Sequence, residues 1–493
     1  MKKVLLIIVF VSNLLFPKTI KADVKLPAIV SSNMVLQRNT TIAIWGWADA
    51  EEKIAINLSW LGEIIHTKAD KQGNWRIEVK TTNNKEAQTI KIKSESSTVV
   101  LENILFGEVW LCSGQSNMGM KMKGNPGQPV FGANKALIKA NNPNLRLFTV
   151  DRVGSKIPQK NIEKFTAWQQ ASPQNVSNFS AVAYFFGQQL QEFLDCPVGL
   201  IHTSWGGSTV QAWMSKEAMD PFKKVTLDNV DITKNTNYIN TALFNAMIHP
   251  LIPYTIKGAL WYQGESNHKQ PEKYKKLFPA MVKDWRTKWG IGDFPFLYVQ
   301  IAPFSYKNKD AFQTVDNSAF MREAQLQCLN LIPNSGIAIT IDLGDENFIH
   351  PPKKKEVADR LLFNALNIGY GILSIDGKSP IYESHEIKNN GMFLSFKHAE
   401  NGLYVFDSLK GFEIAGDDKV FYPAKAKIIN RKKVFVFNEK VLNPVAVRYA
   451  WQNWTIGTLY DTNFLPASSF RTDQWQNAKK AKKAKNIDKK PYN

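Results

Sequence analysis

The spacing of apolar residues changes twice along this chain, near Gly107 and near Ser379, and that change restricts the fold more than any single motif. From Val24 to Phe106 apolar and polar residues alternate, as in residues 42–47, 53–58, 75–79 and 90–92, with turn clusters such as Lys71-Gln72-Gly73-Asn74 between them. Alternation buries one side of a strand and wets the other, so residues 23–106 are expected to form a small β-sandwich. After Gly107 the apolar runs become continuous, at 108–112, 198–202, 256–262, 296–301 and 337–341. Helix-period stretches lie among them, at 181–193, 272–288, 318–329 and 353–365. Strands buried on both faces and joined by helices make a parallel α/β sheet with right-handed crossovers. That domain is expected over residues 107–375. Strand texture returns over 376–475, in stretches such as 392–396, 434–437 and 445–449, and predicts a second β unit.

The full chain carries +19, but +4 of it lies in the first 22 residues and +6 in the Lys-rich end from Ala478 onward. The body is therefore only +9, with no basic stripe, and nucleic acid is not an expected partner. Met1-Lys2-Lys3, the apolar run 4–16 and Ala22 read as a secretory signal over residues 1–22, cleaved before Asp23, with an uncleaved anchor as the alternative. The mature chain is expected to be exported, periplasmic or extracellular, without stable membrane insertion. Residues 476–493 read as a solvated tail or frayed helix. Cys112, Cys196 and Cys328 are too few for a disulfide scaffold, and Cys112 and Cys328 sit in apolar surroundings. No Cys/His cluster calls for a metal, and no cofactor is expected.

Parallel sheets keep their chemistry beyond the carboxyl ends of the strands, and polar residues gather there. The first run ends in Cys112-Ser113-Gly114-Gln115-Ser116-Asn117, where Gly114 permits a tight turn that presents the Ser116 hydroxyl; a helix N-cap is the plainer reading. The second ends in Ser204-Trp205-Gly206-Gly207-Ser208, whose glycines free backbone N–H groups of the kind an oxyanion needs, or simply make a turn. The third ends in Trp261-Tyr262-Gln263-Gly264-Glu265-Ser266-Asn267. There Gln263 can donate to the same oxygen, while Glu265 reads as structural. The fifth leads to Asp342-Leu343-Gly344-Asp345-Glu346-Asn347-Phe348-Ile349-His350-Pro351, with His350 a candidate base for a serine. Four such motifs at four strand ends are hard to explain as accidents.

These blocks resemble the sialate O-acetylesterase family of the SGNH/GDSL hydrolase superfamily. Phe320-Met321-Arg322-Glu323-Ala324-Gln325, Val447-Arg448-Tyr449-Ala450-Trp451 and Phe470-Arg471-Thr472-Asp473 also fit, and the resemblance spans residues 26–473. It implies a three-layer flavodoxin-like hydrolase domain and a metal-independent serine carbohydrate esterase that removes O-acetyl groups from sialic acids or other glycans. It implies Ser116 as nucleophile and His350 as base, with the N–H groups of Ser116 and Gly207 and the Gln263 amide as the oxyanion hole. The sequence departs from the family where Asn347 stands three residues before His350 and Phe348 two before it. Asp345 is then the expected partner of His350, with Asn347, Asp342 or a backbone carbonyl as alternatives. Arg322 is a candidate for a substrate carboxylate, against a helix-surface ion pair with Glu323. Trp205 is a candidate for stacking on a sugar, while Trp213 and Trp261 read as core. Competing readings are an acetyl-xylan or pectin esterase, a non-catalytic carbohydrate-binding protein, and a glycosidase using Glu265 and Asp345.

Overall fold

One strand carries the chain from the first β region into the parallel sheet. In the computed structural model, which describes residues 23–306, 313–314 and 316–481, β1 (Thr98–Gly114) runs unbroken through residue 107. Its first half pairs antiparallel with Gln88–Lys93, and its second half pairs parallel with the central sheet. The expected boundary between residues 106 and 107 thus falls inside an element. Gly107 is required where the partners change, because a Cβ there would come within 2.0 Å of the Pro197 carbonyl oxygen. The signal segment expected at 1–22 lies outside the described residues, as do residues 482–493 of the Lys-rich end.

The sheet continues through β2 (Asn142–Val150), β3 (Phe165–Ala171), β4 (Val198–Ser204), β5 (Gly258–Tyr262), β6 (Phe296–Val299) and β7 (Ser335–Ala338). The spatial order is β7-β6-β5-β1-β4-β2-β3, parallel throughout except for the β2–β3 pair. The main helices are α1 (Ala181–Leu194), α2 (Pro271–Trp289), α3 (Ala319–Cys328) and α4 (Lys354–Asn364). Val109 and Leu111 of β1 join one core with Phe278 and Trp285 of α2 and Met321 of α3. Trp110 and Cys112 join a second core with Val182 of α1 and Leu361 of α4. Both parities of β1 are therefore covered, which is why its sequence is apolar without alternation. The chain adds strands on both sides of β1, and such a reversal opens a crevice at that strand's carboxyl end.

The β2–β3 pair was not among the five apolar runs. Pro143 and Arg146 interrupt β2, and Arg146 is nonetheless buried, held by the Pro143 carbonyl at 2.6 Å and by the Asn33 and Asn103 side chains at 3.2 Å.

In the first β region, Lys53–Leu58 lies between Ile64–Lys68 and Gln88–Lys93, and Thr41–Trp47 pairs with Asn74–Lys80. The last region contains a four-stranded antiparallel sheet built on Ile381–Lys388 and Gly391–Lys397, and a five-stranded sheet built on Phe412–Ala415 and Ala446–Tyr449. Lys479–Lys480 pairs parallel with Val420 and Phe421 in the second of these, so the start of the Lys-rich end is a short strand and not a free tail. This region docks on α3, where Arg471 grips Glu323 through two bonds of 2.9 and 2.8 Å. Among the described residues no helix is long and apolar enough to cross a membrane, and all three cysteines are buried and free.

Candidate active site

The crevice at the end of β1 is bounded by β4 and β5, whose last residues sit in register with Gly114. Gly114 has φ +138°, and a Cβ there would lie 2.2 Å from the Tyr262 carbonyl oxygen. Only glycine lets the chain turn this close to its neighbour. Gln115 then ties the loops together: its N–H donates to the Tyr262 carbonyl at 2.9 Å, and its Oε1 accepts from the N–H groups of Gly264 (3.2 Å) and Ser266 (3.3 Å). Ser116 is left half-buried at the rim, with the α-carbon of Gly206 facing its side chain.

His350 reaches the same point from the loop before α4. Its Nε2 lies 2.7 Å from Ser116 Oγ, and its Nδ1–H donates to Gln128 Oε1 at 2.8 Å. The amide oxygen of Gln128 can only accept, so it sets the proton on Nδ1 and leaves Nε2 free to take the serine proton. Burial, assisted by the positive charge of Lys354, lowers the His350 pKa to about 4. At neutral pH the imidazole is therefore the uncharged form that a base must be.

Gln128 was not anticipated, and the expected partner is engaged elsewhere. Asp345 Oδ1 accepts from the N–H groups of Asn347 (2.9 Å) and Phe348 (3.2 Å), closing the loop upon itself. Asp342 forms a two-pronged pair with Arg360, 2.7 Å on each side. Sequence offered little to mark Gln128, which lies in an irregular Gly/Pro-rich stretch 222 residues from the histidine.

Gln263 also departs from expectation. Its Nε2 donates to the Ser208 carbonyl at 3.0 Å and to Asn267 Oδ1 at 2.8 Å, and Asn267 is itself oriented by the N–H of Val210. Both amide protons are spent on acceptors, so Gln263 braces the second and third loops and offers no donor to an oxyanion. The backbone N–H groups of Ser116, Gly206 and Gly207, by contrast, take no protein partner among the described residues. Gly207 has φ +74° and lies against Asn237, whose Nδ2 donates to the Gly206 carbonyl at 3.1 Å.

Behind the rim lies a buried polar chain that the sequence did not reveal. Lys354 Nζ donates to Asn117 Oδ1 at 2.5 Å, and Asn117 Nδ2 donates to Glu265 Oε1 at 2.5 Å and to the Ile349 carbonyl at 3.1 Å. Asn117 follows Ser116 and Ile349 precedes His350, so one carboxamide clamps both reactive segments. Burial lowers the Lys354 pKa to about 7 and raises that of Glu265.

Two substrate candidates part company. Trp205 stays half-buried at the rim, its backbone N–H donating to the Gly114 carbonyl at 3.1 Å. Arg322 is fully buried and bound to Ser469 Oγ, Ser318 Oγ and the carbonyls of Ala450 and Gln452. It faces the last β region and reaches no substrate, and it is Arg471 that pairs with Glu323. Trp213 and Trp261 are core residues in edge-to-face contact, 6.0 Å between centroids.

Comparison with known proteins gives the family. A family model described as "Carbohydrate esterase, sialic acid-specific acetylesterase" matches residues 107–357. Mouse sialate O-acetylesterase is 27% identical across 90% of this chain and 93% of its own length; the human protein is 28% identical across 86% and 87%. A crystal structure of a carbohydrate acetylesterase from Xanthomonas citri superposes with TM-score 0.84 at 32% identity, covering 92% of this chain and all of that one. The mixed α/β fold with its mostly parallel sheet is that of a carbohydrate esterase. The chain belongs to the sialic acid-specific acetylesterase family, and it is a carboxylic ester hydrolase acting on O-acetylated carbohydrate.

Proposed function

We propose that the protein removes O-acetyl groups from sialic acids through an acetyl-serine intermediate. The observation that carries the reading is the 2.7 Å contact between Ser116 Oγ and an uncharged His350 whose other nitrogen is held by Gln128. His350 Nε2 takes the Ser116 proton as Oγ attacks the acetyl carbonyl. The oxyanion forms beside the N–H groups of Ser116 and of the Gly206-Gly207 turn. His350 then protonates the departing sugar oxygen, and water, activated by the same imidazole, releases acetate and regenerates the serine.

In this reading the body (107–375) has the three-layer flavodoxin-like form of SGNH hydrolases. Residues 23–106 and 376–475 are β-sandwich-like units that brace it, and the chain is exported after losing residues 1–22. Covered cores on both faces of the sheet support the layering. The test is acetate release from an O-acetyl sialic acid and from p-nitrophenyl acetate. Ser116→Ala should lower kcat by about 10⁴-fold or more on both while the protein stays folded, and a folded, fully active variant removes Ser116 from the mechanism.

A further inference from the structure

A cleft of about 770 Å³ opens at the carboxyl ends of β2 and β4, within the range of small-ligand sites. Its floor is uncharged and rich in hydrogen-bonding groups. His202 Nε2 and Ser204 Oγ lie 2.8 Å apart, and the His202 ring packs edge-on against Phe179. Burial and the nearby Arg152 lower the His202 pKa to about 4, so this imidazole is neutral in use. Lys121 and Arg152 stand exposed at the rim, and neither forms an ion pair among the described residues; Asp151 is the single acidic group in the lining.

Two walls of this cleft are shared with the reactive pair. Gly119 lies three residues beyond Ser116, and a Cβ on it would meet Ser204 Oγ at 2.7 Å. Asn125 exchanges backbone hydrogen bonds of 3.0 and 2.9 Å with Gln128, the residue that holds His350. The loop from Ser116 to Gly119 and the turn from Asn125 to Gln128 therefore run from the reactive pair to the lining of the cleft. Its own lining supplies neutral donors and acceptors for hydroxyls and two free cations for an anion.

We propose that this cleft holds the carboxylate-bearing sugar whose acetyl ester is cleaved, with Arg152 and Lys121 taking the carboxylate and His202 and Ser204 taking hydroxyls. The assignment rests on the esterase reading above and adds where the acidic sugar sits and what recognises it. A guanidinium offers a carboxylate two parallel N–H donors, a match that a neutral sugar cannot use. Sialic acids and uronic-acid polysaccharides share this chemistry.

Steady-state kinetics on four esters test it: O-acetyl sialic acid, acetylated polygalacturonate, acetyl-xylan and p-nitrophenyl acetate. In Arg152→Ala/Lys121→Ala, kcat/KM on an acidic ester relative to p-nitrophenyl acetate should fall about 10-fold, mainly through KM, while the ratio for acetyl-xylan does not. Lys91→Gln/Lys93→Gln removes the same charge from the first β region and should leave the ratio in place. A fall confined to the sialic ester assigns a sialic acid and one confined to the galacturonate assigns a uronic acid; either supports the cleft. An unaltered ratio, an equal loss on acetyl-xylan or in the control variant, or wild-type activity on acetyl-xylan but on neither acidic ester overturns it. Wild-type inactivity on every ester, p-nitrophenyl acetate included, sinks the esterase reading itself and the cleft with it.

Discussion

Two basic side chains, Arg322 and Lys354, are completely buried in the same domain, and they differ in how well their protons are satisfied. Arg322 gives four hydrogen bonds, one to the Ser318 hydroxyl at the start of its own helix and three, to Ser469 Oγ and the carbonyls of Ala450 and Gln452, across the seam between α3 and the last β region. Burial lowers its pKa only to about 10, so it stays charged at any ordinary pH. Lys354 gives one hydrogen bond, to Asn117, and otherwise faces the ring of Tyr262, its Nζ 5.5 Å from the centroid. With less to hold its charge, its pKa falls to about 7. A buried cation with four of its five donors matched fastens two parts of a fold. One left short of acceptors beside a reactive pair is an adjustable source of electric field.

The largest effect expected from this contrast is on stability. Arg322→Ala leaves the carbonyls of Ala450 and Gln452 and two buried hydroxyls without their donor, at a cost of about 3–5 kcal/mol. Thermal unfolding should show a clearly lowered Tm, while kcat per folded molecule on p-nitrophenyl acetate stays close to wild type, since Arg322 touches nothing at the rim. A large loss of kcat in molecules that remain folded would erase the distinction between fastening and reacting parts.

Next in size is Gln128. Serine hydrolases that hold the histidine with a carboxylate gain from its negative charge as well as from its geometry. A neutral amide keeps the tautomer and gives up the charge. Gln128→Ala should lower kcat by about 10²-fold without moving Tm appreciably. Gln128→Glu should move the acid limb of kcat/KM to higher pH, because a carboxylate on Nδ1 favours the imidazolium and so raises the pKa of His350. An acid limb unmoved by the glutamate would mean that Gln128 does not hold the working conformation of His350.

How much of this was legible in the sequence follows from what a one-dimensional pattern can encode. The strands β1, β4, β5, β6 and β7 were readable because cores on both faces demand uninterrupted apolar runs. The meeting of Ser116 with His350 was foreseeable because parallel strands deliver their ends to one edge. Gln263, Asp345 and Arg322 were misplaced for a common reason. Each residue type suits the role assigned to it, but the atoms that role needs are engaged elsewhere: the amide donors of Gln263 by Ser208 and Asn267, Oδ1 of Asp345 by the turn at Phe348, and the guanidinium of Arg322 by the carbonyls past Tyr449. Gln128 and Lys354 were overlooked conversely: one sits in an irregular loop and the other on an amphipathic helix, where a lysine ordinarily faces water. The boundary near residue 107 was visible as a change of period, but the pattern does not tell a linker from a strand that changes partners.

The smallest effect expected is also the sharpest on the comparison. Lys354→Met removes the positive charge behind the rim and keeps most of the volume. His350 titrates at about 4 chiefly because it is buried, with Lys354 as the second cause. At that pH Lys354, with its own pKa about 7, is fully charged, so its removal makes the imidazolium easier to form. The acid limb of kcat/KM should therefore move upward, by less than about one pH unit since burial remains. Glu265, already raised by burial, loses the neighbouring cation and should hold its proton to still higher pH. Because the lysine was poorly satisfied to begin with, stability should change by only about 1 kcal/mol, in contrast to Arg322. A Tm loss as great as that of Arg322→Ala, with the acid limb in its wild-type place, would show that Lys354 fastens the fold as Arg322 does and does not tune His350.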